Sequence, residues 1–510
     1  MKRQLGTFLV AAALLVTGIG TAHATGDDVV VRTDAGRVQG TAHDGYRTFQ
    51  GIPYAAPPVG ELRWTSPRPA RPWTGVRDAT RPSDACAQSA GAGAPSTTED
   101  CLYLNVTTPD TRRPKPVMVW LHGGGLSWGS GSAFNAHRLA VGGDVVVVTV
   151  NYRLGLFGFL GHEGLADSGA YGLEDQQAAL RWVQRNAAAF GGDPRRVTLF
   201  GESGGAWAVC GQLTSPGARG LFHRAIIQSG TCASEPPAHG IRYGDEPMSS
   251  YRSLAAAQAD GAALAASHGC VDPATAVTCL RALSPEELNN GDDALVMSSV
   301  AYGTRVLPEH PSTALATGRF NRVPVLTGTT RDEGRLTAAF SPQPFTEDVY
   351  QQLLGEAYGD QAARVGARYP SSAFGSPGLA WGAVLTDGVW ACAQLGDARR
   401  AARWAPVYGF EFADRQAPTG YFPFPADLPA GAYHSSEVAY LFDVADFPVS
   451  FTPAQQRLAD RMIGYWSRFA ATGDPGWARL RDSNVQSLAP GAIQQVDYAA
   501  THDCRFWASV

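Results

Sequence analysis

An α/β fold, built on a large central and mostly parallel sheet flanked by helices, is predicted by three features of the sequence. Short apolar runs recur through the middle of the chain, helical patterns separate them, and glycines cluster directly after key runs. The runs are Val117-Met118-Val119-Trp120-Leu121, Val145 to Val150, Val197-Thr198-Leu199-Phe200, Ala225-Ile226-Ile227, Val323 to Leu326 and Val407 to Phe412. Strands that are apolar throughout, alternating with helices, belong to parallel sheets covered on both faces. In such sheets ligands and chemistry collect beyond the carboxyl ends of the strands.

The chain opens with Lys2 and Arg3, an apolar run from Phe8 to Ile19, and Ala22-His23-Ala24. A basic start, a short apolar core and a small-x-small site make a signal peptide over 1–24, with the mature chain starting at Thr25. The competing reading is a membrane anchor, but the run is shorter than the ~18 residues a spanning helix needs. Export to the extracellular space and no stable membrane anchor are therefore expected. The 510 residues exceed the usual single core of ~250–300 residues, so either two domains or one large domain with insertions must be weighed. The reading taken is a single domain over 25–510.

The net charge of −5, from 41 basic and 46 acidic residues, is small for this size. Basic residues are scattered, with Arg112-Arg113 and Arg195-Arg196 only as pairs, which argues against a nucleic-acid or anionic-membrane surface. Eight cysteines in an exported chain favour disulfides over metal. The spacing suggests local staples Cys86/Cys101 and Cys270/Cys279, and Cys392 with Cys504 closing a long loop. The partnership of Cys210 and Cys232 is left open. No metal site and no cofactor are expected: His162-Glu163 lacks the second histidine of a zinc-protease helix. Asn105-Val106-Thr107 fits a glycosylation acceptor but falls in a strand pattern, so it is read as incidental.

The helical pattern over Glu174 to Phe190 is stopped by Gly191-Gly192-Asp193-Pro194. The next strand, Val197 to Phe200, runs into Gly201-Glu202-Ser203-Gly204-Gly205, a G-x-S-x-G match. This chemistry needs a strand, a sharp turn that holds the serine strained and exposed, and a helix; close-packed glycines make the turn fit. A second match, Gly125-Leu126-Ser127-Trp128-Gly129, is followed by Gly/Ser loop composition with no helix start. Ser203 is therefore the expected nucleophile and Ser127 the decoy. His122-Gly123-Gly124-Gly125, after the Val117–Leu121 strand, matches an oxyanion loop, so Gly124, Gly125 and Gly204 are the expected donors.

The triad order Ser, acid, His requires a histidine after Ser203. The candidates are His223, His239, His268, His310, His434 and His502. His434 follows the Val407–Phe412 strand and is preferred; His502, near Cys504, is read as structural. Glu333, just past Val323–Leu326, is the expected acid, with Asp332 as its rival.

Several segments together resemble the type-B carboxylesterases of the cholinesterase/carboxylesterase family, over nearly all of the mature chain. They are Phe49-Gln50-Gly51-Ile52-Pro53-Tyr54, Leu62-Arg63-Trp64, Glu99-Asp100-Cys101-Leu102-Tyr103-Leu104-Asn105-Val106, Asn151-Tyr152-Arg153-Leu154-Gly155, and Phe190-Gly191-Gly192-Asp193-Pro194. The resemblance implies an α/β-hydrolase fold and a secreted carboxylic ester hydrolase acting on a small-molecule ester. It implies Glu rather than Asp as the triad acid, in the D-E-G context of Glu333, and a histidine in the H-x-x-E context that His434-Ser435-Ser436-Glu437 matches. It further implies disulfides Cys86–Cys101, Cys270–Cys279 and Cys392–Cys504, ion pairs Arg63–Glu99 and Arg153–Asp175, and supporting roles for Glu202 and Glu437 near the histidine. Two departures stand out. No aromatic residue lies between Cys86 and Cys101, so the π-face that a quaternary ammonium needs is missing and choline esters are disfavoured. Gly204 stands where alanine is more usual, which should loosen the turn slightly. The alternatives are a lipase for long-chain esters and a non-catalytic binding protein of the same fold; acyl-chain preference and oligomeric state are left open.

Overall fold

The computed structural model describes residues 29–510 apart from 91–93, 111–112, 234, 290–298, 421 and 446. The signal peptide expected over 1–24 lies outside the described residues. The central sheet has 11 strands. In chain order they are β1 (Thr41–His43), β2 (Tyr46–Pro53), β3 (Tyr103–Pro109), β4 (Lys115–Leu121), β5 (Val146–Val150) and β6 (Gly192–Glu202). They continue with β7 (Arg224–Gln228), β8 (Val325–Thr330), β9 (Val407–Phe412), β10 (Asn484–Ala489) and β11 (Ala492–Asp497). Their spatial order is β11-β10-β9-β8-β7-β6-β4-β5-β3-β2-β1. From β10 across to β5 every pairing is parallel. Antiparallel strands finish both edges.

The central strands are buried along their whole length: every residue of β4, β5, β8 and β9 is inside. That is why their sequences carry no polar alternation. One core layer packs Val117, Val119, Leu199 and Ile227 against α1 (Tyr171–Asn186) and α2 (Gly204–Thr214). The opposite layer packs Met118, Trp120, Phe200 and Ile226 with Met462, Ile463, Trp466 and Phe469 of α4 (Pro453–Thr472). α3 (Cys392–Ala402) lies between α2 and α4 in the chain.

Several element boundaries differ from the sequence reading, and the strand expected over Val197–Phe200 extends over Gly192–Glu202. The helix expected over Glu174–Phe190 begins at Tyr171 and gives way to a 3₁₀ turn over Ala187–Phe190, which ends on Gly191 at φ 81°. The strand expected at Val323 starts instead at Val325, because Pro324 has no N–H to give the ladder. It runs on through Thr327-Gly328-Thr329-Thr330, polar residues that are nonetheless buried.

Four disulfides join Cys86–Cys101, Cys210–Cys232, Cys270–Cys279 and Cys392–Cys504. The Cys210–Cys232 bond ties α2 to the segment leaving β7, both sulfurs in the core. Arg153 and Asp175 form a buried bidentate pair, Nε and Nη2 each 2.7 Å from an oxygen. Arg63 grips Glu99 at 2.7 and 2.5 Å. Asn105 lies on β3 and spends its amide on Thr149 Oγ1 at 3.1 Å, its carbonyl accepting from Gly51 N at 3.0 Å.

Candidate active site

β6 delivers Ser203 at its carboxyl end, and α2 starts at the next residue. Ser203 has φ 54° and ψ −123°. A non-glycine residue in that region is strained, and the surroundings must hold it there. Ser203 N donates to Gln228 O at 2.9 Å, and Ser203 O accepts from Ala206 N and Trp207 N at 2.9 and 3.0 Å. Glycine is required beside it: a Cβ on Gly205 would lie 2.0 Å from Leu121 O. A Cβ on Gly204 would lie 2.6 Å from Leu126 N and 2.8 Å from Gly125 N, so the glycine loop occupies the space an alanine methyl would take.

That loop leaves β4 at Leu121. His122 is buried, its Nδ1 lies 2.9 Å from Gly123 O, and its ring stacks on Tyr152 with centroids 4.5 Å apart. Burial lowers its pKa to about 4, so the ring is neutral packing material. Gly124 and Gly125 take φ values of 102° and 59°. Their N–H groups meet no acceptor among the described residues, and Gly204 N, at the start of α2, has no intrahelical partner. Gly124 and Gly125 line the same cavity as Ser203, and Gly204 N follows the serine directly.

β8 and β9 lie side by side in parallel register, Thr330 opposite Phe412. The loop after β8 carries Glu333, and the longer one after β9 carries His434. His434 Nε2 is 2.9 Å from Ser203 Oγ, and His434 Nδ1 is 2.6 Å from Glu333 Oε2. Glu333 is buried, and its other oxygen accepts from Thr330 N at 2.7 Å. Asp332 points elsewhere: it binds Arg415 and Arg335 at 3.0 Å and accepts from Ala432 N at 3.0 Å. Ser127 Oγ sits on the glycine loop, 3.4 Å from Gly125 O. Among the other histidines, His223 accepts from Val197 N, His239 pairs with Glu356, and His310 caps a helix through Ser312 N. His502 lies between Asp387 and Glu411.

Further carboxylates crowd His434. Glu202 Oε1 is 3.3 Å from His434 Nε2 and accepts from Ser435 Oγ at 2.5 Å. Glu437 is fully buried and accepts from Gln228 Nε2 at 3.1 Å; Gln228 in turn accepts from Trp466 Nε1 at 2.8 Å. Burial raises Glu202 to about 7 and, with the charges of Glu202 and Glu333, raises Glu437 to about 8. For His434 burial acts downward and is the largest single effect. The charges of Glu333, Glu202 and Glu437 and the hydrogen bond to Glu333 together outweigh it, raising the ring to about 9. Sequence reasoning assigned no role to Gln228, to Ser435 or to Trp390, whose ring lies 4.7 Å from that of His434. Gln228 and Trp390 come from segments distant in the chain, whereas Ser435 is the neighbour of His434 and reaches Glu202, itself distant in the chain. The cavity above Ser203 is about 460 Å³ and mostly apolar, with Trp128, Phe134, Trp207, Leu336, Phe340 and Phe447 in its walls.

Among the described residues no cluster of three or more His, Cys, Asp or Glu could hold a metal ion, and no helix is long and apolar enough to cross a membrane.

A parallel sheet of this order, with a strained serine between strand and helix, defines an enzyme of the α/β-hydrolase fold in the serine ester hydrolase class. The profile of the Carboxylesterase family matches residues 27–507. A para-nitrobenzyl esterase of Bacillus subtilis (strain 168) is 33% identical over 500 residues, covering 90% of this chain and 94% of that protein. A cocaine esterase of Oryctolagus cuniculus is 35% identical, covering 92% of this chain and 89% of its own. A fumonisin B1 esterase of Sphingopyxis macrogoltabida is also 35% identical, covering 92% and 86%. The chain belongs to the carboxylesterase family and hydrolyses carboxylic esters of small molecules.

Proposed function

We propose that the chain is exported after cleavage behind Ala24, and that residues 25–510 form one catalytic unit working by a Ser203–His434–Glu333 triad through an acyl-enzyme. The observation that carries this reading is the pair of hydrogen bonds on His434, 2.9 Å to the serine and 2.6 Å to the glutamate. His434 takes the Ser203 proton as Oγ attacks the ester carbonyl. N–H groups of Gly124, Gly125 and Gly204 bind the tetrahedral oxyanion. His434 then protonates the departing alcohol, and water repeats the sequence on the acyl-enzyme. Glu333 holds the imidazole tautomer and stabilises the imidazolium. Glu202 and Glu437 tune its charge. Four disulfides are consistent with an oxidising, extracellular destination.

The substrates proposed are small to medium aliphatic or aryl esters. The apolar cavity of about 460 Å³ and the para-nitrobenzyl esterase relative support that range. Choline esters are disfavoured because residues 87–100 supply no aromatic ring. Stopped-flow hydrolysis of p-nitrophenyl esters from acetate to palmitate tests the reading. A burst of p-nitrophenolate equal to the enzyme concentration, strongest on short chains, with the acyl mass on the peptide bearing Ser203, is expected. An adduct on Ser127, or no burst on any ester, would sink the mechanism. A maximum on dispersed palmitate would make the enzyme a lipase.

The carboxylate cluster adds a pH prediction. His434 must be neutral to act as base, so kcat/KM falls as pH drops through its pKa. Because that pKa is raised, the acid limb is expected above the ~6.5 of free imidazole. Replacing Glu202 by glutamine removes one of the charges that favour the imidazolium, so the limb should move down. A limb unmoved in Glu202→Gln would show that this carboxylate has no electrostatic hold on the histidine.

A further inference from the structure

His502 is buried near the C-terminus, outside the cavity, and has no part in the mechanism above. Its Nδ1 lies 2.6 Å from Asp387 Oδ1 and its Nε2 lies 2.8 Å from Glu411 Oε1. Neutral imidazole has one N–H, so two ionised carboxylates can both be satisfied only by the imidazolium. Arg331 Nη1 holds the other oxygen of Glu411 at 2.9 Å, and Ser487 Oγ reaches it at 3.3 Å. Tyr369 donates to Asp387 Oδ2 at 2.8 Å, and Tyr498 lies against the His502 ring with its hydroxyl on Thr329. Asp503, itself paired with Arg368, is the remaining charge near Asp387. Two cations, His502 and Arg331, thus face two carboxylates, Asp387 and Glu411, a set that is neutral only when the ring is charged. Burial works against that charge most strongly, but the hydrogen bonds and charges of Asp387 and Glu411 outweigh it and raise the ring to about 9.

Both carboxylates lead back to the active site. Asp387 belongs to a π-helical turn over Thr386–Ala391 that runs directly into α3. Such turns are uncommon and concentrate at functional sites. The same turn carries Trp390, whose ring rests on that of His434 at 4.7 Å. It also carries Thr386, whose Oγ1 accepts from Gly334 N, beside Glu333, at 2.9 Å. Glu411 holds Arg331, two residues before Glu333. The disulfide Cys392–Cys504 joins the same two segments, starting one residue after the turn and ending two residues after His502. Trp507 closes the contact, since a Cβ on Gly388 in the turn would meet its ring at 2.8 Å.

We infer that His502 is a positioning residue for the reaction: as an imidazolium clamped between Asp387 and Glu411, it fixes the π-helical turn and the Arg331 segment that set the places of His434 and Glu333. This rests on the triad reading above. Loss of the clamp leaves a buried carboxylate without its counter-charge and frees the turn under Trp390. The contact between His434 and Glu333 then loosens, while Trp128, Phe134 and Trp207, the cavity walls on elements the clamp does not hold, stay in place.

The test is His502→Gln in the mature enzyme, read on p-nitrophenyl butyrate with active sites counted by the burst. Expected is a fall in kcat per site of about tenfold, KM within about twofold, and an acid limb displaced toward free imidazole. A variant with a lower melting temperature but unchanged kcat per site and unchanged acid limb would overturn the inference, since His502 would then only hold the fold. Should His502→Gln fail to fold, Trp390→Leu decides: the same kcat loss and limb shift are required, and wild-type values for both would overturn it. Ser203→Ala run in parallel separates the two levels, because an active Ser203→Ala sinks the triad reading itself, whatever His502 does.

Discussion

Ser203→Ala is expected to lower kcat/KM for p-nitrophenyl esters by about 10⁵- to 10⁶-fold, with the folded structure intact. The loss is large because in the proposed triad the serine, histidine and acid act as a unit, so removing the proposed nucleophile forfeits nearly all of their joint effect. What remains, ~10³–10⁴ over the uncatalysed rate, comes from the oxyanion donors and from binding. The fold should tolerate the change. Alanine carries the same Cβ through φ 54°, and the hydrogen bonds of residue 203 to Gln228, Ala206 and Trp207 are all made by backbone atoms. The two quantities to compare are kcat/KM and the melting temperature of the purified variant. A variant that keeps its melting temperature and loses less than about tenfold in rate would remove Ser203 from the reaction.

The strain at Ser203 connects sequence to chemistry. Its positive φ throws the side chain off the end of β6 into the cavity, and it persists because the turn is packed from three sides. Leu121 O leaves no room for a methyl at 205, the glycine loop closes over 204, and Gly230 lies against Ser203 O, where a Cβ would sit 2.8 Å away. The Cys210–Cys232 bond ties α2, which begins at this turn, to the segment following Gly230. In the chain-entropy picture a closure of this length is worth about 3 kcal/mol.

Much of this was legible in the sequence because the relevant signals are local. A buried parallel strand is a continuous apolar run, so β4, β5, β6, β7 and β9 could be read from Val117, Val145, Val197, Ala225 and Val407 onward. The nucleophile turn announces itself through glycines on either side of a serine at a strand end. The acid and base are harder. Spacing alone leaves six histidines after Ser203 and two adjacent acids, and what brings His434 to Glu333 is that β8 and β9 are neighbours in the sheet. Family resemblance supplied that choice; the register of β8 on β9 supplies its physical reason. The antiparallel edges were less visible, because β10 buries the polar Gln486 and Ser487 in its middle and β11, with Gln494 and Gln495 exposed, has no buried residue to mark it. The supports of the site were not visible at all. Gln228 reaches Glu437, and Trp390 reaches His434, across separations that no periodicity encodes. His502 could be assigned to structure by its position near Cys504, but not to the two carboxylates that explain why it is charged.

Glu333→Gln should reduce kcat by about 10⁴-fold, the scale set when a triad acid becomes an amide with its geometry preserved. The structure gives the reason in this chain. Glu333 Oε1 accepts from Thr330 N at 2.7 Å, and Oε2 accepts from His434 Nδ1 at 2.6 Å. A glutamine has only one oxygen, and the backbone N–H of Thr330 has no lone pair to receive an amide N–H. The amide oxygen must therefore face Thr330, which turns the NH₂ toward His434 Nδ1. Imidazole answers by placing its proton on Nε2, the nitrogen that must be bare to take the proton of Ser203. Substrate binding does not pass through either atom, so KM should change little. Asp332→Asn is the informative contrast. It weakens the contacts to Arg335, Arg415 and Ala432 N and should lower the melting temperature, but no bond joins Asp332 to His434. Its kcat should stay within about tenfold of wild type. Were the two results exchanged, with Asp332→Asn losing the rate and Glu333→Gln retaining it, the acid of the triad would be Asp332.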